Sequence, residues 1–144
     1  MPIPFARAQW LFPIAVSLHN VEESIWMPAF WREHNIHIWA SAAEFRMVAT
    51  GLALLTFLIT FWSVRSGKRS AGTYVFAVFA LVVALNAVWH LGVTLWFRAY
   101  TPGVATALAI NLPVTLYLLG RAIREDFVVL PPRRSTSSID RSRI

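Results

Sequence analysis

His19, Glu22 and Glu23 stand inside an apolar stretch, Phe12 to Met27, where two carboxylates and an imidazole are costly to bury. All three are proton carriers and metal ligands. On a helix, residues three and four apart share a face, so these three project together. Two later apolar stretches carry Glu44 and His90, and Asn86 stands one turn before His90. Imidazole with carboxylate suits zinc, iron or manganese. The predicted metal ligands are therefore His19, Glu22, Glu23, Glu44 and His90. Asn86 and Asn111 would support the imidazoles from behind, together with Ser17 and Thr94. Glu22 is also the candidate general base. Arg46 is either a counter-charge or an anchor for an anionic head group. Three glutamates facing this one arginine leave two negative charges, which a divalent cation or protonation of two carboxyls would neutralise.

The elements that must position these groups read as membrane helices. Of 144 residues, 57% are hydrophobic and 14% charged, against about a quarter charged in soluble domains. Four segments meet the span length of roughly 20 residues: Gln9–Phe30, Ile38–Val64, Gly72–Phe97 and Gly103–Ile123. The first is the most interrupted, and its prolines leave a kinked or re-entrant helix open. The fold class is an all-α membrane protein, a four-transmembrane-helix bundle. Residues 1–130 form its single domain, and 131–144 a disordered basic tail.

Basic residues fix the expected orientation. Arg7, Arg65, Lys68, Arg69, Arg121, Arg124 and the tail arginines fall on one side, so both termini are expected in the cytoplasm. In that frame Glu44, His90 and Asn111 lie about 9, 10 and 12 Å below the outer surface. Glu22 and Glu23 come to a similar depth. The net charge of +6 thus belongs to membrane loops, and nucleic acid is excluded as a partner. No small-residue cleavage site follows the first apolar run, so it reads as a span, not a signal peptide. The chain has no cysteine, which removes thiolate ligands and nucleophiles. H-E-x-x-H, clustered H-x-x-x-H, phosphate-binding glycine loops and G-x-S-x-G are all absent.

The segment His19-Asn20-Val21-Glu22-Glu23 resembles the H-x-x-E-E signature of the HXXEE-domain family of small integral membrane proteins. Asn86-Ala87-Val88-Trp89-His90 and Thr101-Pro102-Gly103-Val104-Ala105-Thr106 look like further motifs of that family. The resemblance implies a small multi-span protein with a metal or acid–base centre, and no particular reaction. Gly103, Ala105, Ala107 and Ala109 read as close helix packing.

Three functional readings stand. The favoured one is a membrane metalloenzyme with a His/Glu-ligated iron or zinc centre, manganese being the third option, acting on a lipophilic small molecule. Trp26, Trp89 and Trp96 would line its pocket. The second is a metal-free isomerase or cyclase using the same acids and imidazoles. The third is a non-enzymatic membrane protein with a structural polar core. Membrane lipid and a second copy of the chain are the expected partners, and the cell's inner membrane the expected location.

Overall fold

The computed structural model describes residues 3–37 and 41–129, and all regular structure among them is helical. The expected tail, 131–144, lies outside the described residues. One turn, α1 (Phe5–Ala8), precedes four long helices: α2 (Leu11–Glu33), α3 (Ala42–Ser66), α4 (Ala71–Phe97) and α5 (Val104–Arg124). Sequence-adjacent helices pack together, and α5 closes the bundle against both α2 and α4. Three of them, α3, α4 and α5, are long and apolar enough to cross a membrane. The expected fourth span is different. α2 has the length, at 23 residues, but its polar run from His19 to Glu23 keeps it out of that class.

Local chemistry explains the boundaries. Ser41 caps α3 through a capping box: its hydroxyl accepts from the Glu44 N–H, while the Glu44 carboxylate accepts from the Ser41 N–H at 2.7 Å. α3 ends at Gly67, whose φ of 75° suits a residue without Cβ. Ser70 then caps α4 by accepting from the Thr73 N–H. α5 starts at Gly103 and runs through a π-turn at Ala107–Asn111 before resuming α geometry at Leu112.

α2 continues without a break through Pro28. Proline lacks the N–H that would bond the carbonyl four residues back, so the Ser24 oxygen loses its helical partner. Arg46 Nε supplies the replacement at 3.2 Å. This structural duty accounts for an arginine at that point of α3.

The densest packing lies at one end of the bundle. Phe5, Phe12, Phe76 and Leu118 are fully buried, and Phe76 meets Phe5 and Phe12 edge-on. The residues after α5 fold back onto the α3–α4 turn, where the Arg69 N–H donates to the Phe127 carbonyl at 2.9 Å. Phe127 also packs on Phe5 at a tilt, centroids 4.5 Å apart. The first turn, the α3–α4 connection and the end of α5 therefore share one end of the bundle. Outward positions of α3 and α4, such as Leu58, Leu85 and Trp96, are apolar and exposed, as lipid-facing surfaces are.

Candidate metal centre

His19 and Glu23 sit one turn apart on α2, and α4 brings His90 against them. One donor atom from each lies within 4.8 Å of the others, and both imidazoles are buried. Glu23 spans the pair: Oε1 is 3.2 Å from His90 Nε2, and Oε2 is 3.7 Å from His19 Nε2. The two rings stand nearly perpendicular, 87° apart, with centroids separated by 4.9 Å. Two histidines and one carboxylate form an open ligand set that leaves positions free on a divalent ion.

The remaining hydrogen bonds decide which nitrogen of His19 is available. Thr106 Oγ1 has one proton, and its acceptor-only neighbours are the Glu22 carboxylate and the Gly103 carbonyl. His19 Nδ1, 3.0 Å from the same oxygen, must therefore be the N–H donor. That leaves a lone pair on Nε2, the nitrogen facing Glu23. Asn86 Nδ2 donates to this lone pair at 3.3 Å. Two independent contacts thus leave the lone pair on Nε2, the nitrogen that faces Glu23 and could ligate a metal there.

Glu22 has a separate task. One oxygen accepts from the Gly103 N–H at 3.0 Å and from the Tyr100 hydroxyl; the other accepts from the Thr106 N–H, also at 3.0 Å, and from the Thr106 hydroxyl. A carboxylate so placed fastens the first turn of α5 to α2, where N–H groups lack helical partners. Desolvation and the bond to Glu22 push the Tyr100 phenol up to about 12, so it remains a donor at neutral pH.

Gly103 closes the centre from above. Its φ is +89°, and a Cβ there would lie 2.7 Å from His90 Cε1 and 2.8 Å from His19 Cε1. The glycine read as a helix-packing residue is therefore the lid of the imidazole pair. Thr101, beside it, is buried and paired with Thr94.

The structure brings together His19, Glu23 and His90, with Asn86 at hydrogen-bond distance and Glu22 alongside. It does not bring Glu44, Arg46 or Asn111 to them in any hydrogen bond or ion pair among the described residues. Glu44 is exposed in the α3 capping box, because Ser41-Ala42-Ala43-Glu44 has the S-x-x-E spacing that turns the carboxylate back on its own helix start. Arg46 is occupied by the Ser24 carbonyl. Asn111 is buried in the π-turn with no hydrogen-bond partner for its amide. Asn20, the second residue of the H-x-x-E-E run, ties α2 to α3 through the Ala49 carbonyl at 2.7 Å.

These placements predict that Glu44→Ala leaves metal content at the wild-type level. It would lower stability slightly, through loss of the reciprocal half of the capping box. Elemental analysis and thermal unfolding of the variant check this, and a loss of metal would return Glu44 to the centre. Tyr100 and Thr106 are the residues that motif reading passed over. The signal was present in the T-P-G-x-x-T segment, but hydroxyl and backbone partners carry no spacing rule of their own.

Fold and centre together define a class: an all-α protein with membrane-length apolar helices and a group of two buried histidines and one part-buried carboxylate. The chain belongs to the family described as proteins of unknown function with an HXXEE motif, whose model matches residues 10–118. It is also similar to an uncharacterized protein, YrkK, of Bacillus subtilis (strain 168). The two are 26% identical over 121 residues, covering 82% of this chain and 76% of that protein. No solved structure matches the chain.

Proposed function

We propose that the chain is an integral membrane metalloprotein, binding a divalent cation through His19, Glu23 and His90 and acting on a lipophilic small molecule. The observation that carries this reading is the meeting of three ligand side chains from two helices within 4.8 Å. The donor set suits iron or zinc, and manganese less well. Iron would supply oxidation, and zinc hydrolysis or isomerisation. The chain's own residues do the rest: Thr106 and Asn86 hold the His19 tautomer, Glu22 fastens the loop that covers the site, and Gly103 leaves room beneath it. Binding would also release the Asn86 contact to His19 Nε2.

An apolar groove of about 960 Å³ adjoins His90 and supports a lipophilic substrate. The gathering of Arg65, Lys68, Arg69 and the α5 arginines at one end supports a cytoplasmic position for that end, with N- and C-termini inside. A multi-pass protein of the cell's inner membrane follows from that reading.

One observation favours a second reading. The 3.2 Å contact between Glu23 and His90 is a ready proton-transfer pair, as a metal-free isomerase or cyclase would need.

Elemental analysis of protein purified in detergent without added metal separates the two. Stoichiometric metal is expected in the wild type, and none in the His19→Ala, His90→Ala double variant. Full metal content in a folded double variant would overturn the assignment. A metal-free wild type that folds would transfer the case to the second reading.

A further inference from the structure

The fold collects positive charge at one end of the bundle. Arg65, Lys68 and Arg69 stand at the α3–α4 turn, Arg121 and Arg124 at the end of α5, and Arg7 on the first turn. Far apart in sequence, they meet because the residues after α5 cross back to the α3–α4 turn and Phe127 packs on Phe5. Lys68 Nζ lies 5.1 Å from the centre of the Phe127 ring, and the Arg121 guanidinium 5.7 Å from that of Phe5. These contacts join the turn and the first helix to the end of α5.

Among the described residues, two carboxylates share this end. Glu125 pairs with Arg121 at 2.6 Å, and Asp126 with Arg69 at 4.0 Å. Arg7, Arg65, Lys68 and Arg124 are exposed and have no carboxylate partner among the described residues. The sequence then adds Arg133, Arg134, Arg141 and Arg143. Like charges gathered in this way repel one another unless an anion answers them.

The position of the patch selects the anion. It lies at the ends of α3, α4 and α5, the helices of membrane length. Exposed aromatic side chains stand close to the same helix ends: Phe61 and Trp62 on α3, Tyr74 on α4 and Tyr117 on α5. Aromatic rings so placed belong to the head-group layer of a bilayer. The Arg65 guanidinium lies 5.5 Å from the centre of the Phe61 ring, and Arg121 donates to the Tyr117 hydroxyl at 3.0 Å, so these cations are held on the lipid-facing flank. Basic clusters just beyond a membrane helix attract acidic lipid head groups, whereas a zwitterionic head group carries its own compensating ammonium. We infer that this end of the bundle binds anionic phospholipid, with head-group phosphates on Arg65, Lys68 and Arg124 and acyl chains against Phe61, Trp62 and Tyr117. The surface requires no metal between His19 and His90.

Spin-labelled lipids test this directly. The full chain is reconstituted in dimyristoylphosphatidylcholine vesicles containing a trace of spin-labelled phosphatidylglycerol or phosphatidylcholine. The motionally restricted fraction of each label gives their relative association with the protein. Phosphatidylglycerol is expected to be favoured by about fivefold, the worth of one basic residue near the surface, and by less as salt is raised. In the Arg65→Gln, Lys68→Gln double variant the preference should fall toward parity. Arg32→Gln removes an exposed charge from the opposite end of α2 and should leave it unchanged. Arg7→Gln with Arg124→Gln is the second variant should the first not fold. Equal restriction of the two lipids by the wild type would overturn the inference. So would a preference retained in both folded double variants, or lost equally in Arg32→Gln. A preference abolished by inorganic phosphate at constant ionic strength would replace the lipid with a soluble phosphate ligand.

Discussion

Replacing Gly103 with alanine should dismantle the centre while leaving every ligand in the sequence. The added methyl would lie under 3.0 Å from His90 Cε1, His19 Cε1 and Glu23 Cγ, one atom on each of the three candidate ligands. Each buried imidazole is also held by a partner on another helix, His19 by Asn86 and His90 by Glu23. The left-handed backbone at φ +89° adds roughly 1–2 kcal/mol of strain for any residue with a Cβ. Overpacking adds roughly 1–3 kcal/mol more. The loop between α4 and α5 must then lift, and lifting it breaks the Glu22 contacts with Gly103 and Thr106. Metal affinity is expected to fall by about 100-fold or more, beyond what loss of a supporting contact costs. The thermal midpoint in detergent should drop as well. An alanine variant with wild-type metal affinity and thermal midpoint would refute the lid.

The two adjacent glutamates should fail in opposite ways. Glu23→Gln keeps the size and shape of the side chain beside His90 but removes the charge of the candidate ligand, so metal binding should fall by about 100-fold or more while the metal-free protein stays folded. Glu22→Gln presents an NH₂ group to an array of donors that all need an acceptor. Hydrogen bonds to a charged group are worth roughly 1.5–3 kcal/mol each, reduced here by partial exposure, so a stability loss of roughly 2 kcal/mol is expected. Metal measured at saturating concentration should bind the Glu22 variant once it is folded. Isothermal titration and thermal unfolding of both variants read the contrast. The reverse pattern, with Glu22 required for metal and Glu23 for stability, would exchange their assignments.

Much of the centre is legible in the chain itself. The spacing of His19 and Glu23 places them on one helix face whatever the surroundings, because 3.6 residues per turn is a property of the backbone. His90 falls at a matching depth because its apolar stretch has a definable end. The place of Glu44 is legible too: S-x-x-E before an apolar run is a local capping signal, and the structure puts Glu44 in that capping box. The fourth span was harder. Length and apolar content can be counted, but the polar run in α2 serves the bundle interior and lowers the apparent lipid preference of the whole segment.

What the sequence determined alone is the helical, membrane-compatible class and the shared helix face of His19, Glu22 and Glu23, because both follow from composition and backbone repeat. Only the tertiary structure divided the labour between Glu22 and Glu23. Their side chains differ by about 100° around α2, and the packing of α4 and α5 decides which meets an imidazole and which meets backbone N–H groups. Gly103 likewise acquires its role only through closure of the loop above α2. A residue without a side chain carries no chemical signal until something is pressed against it.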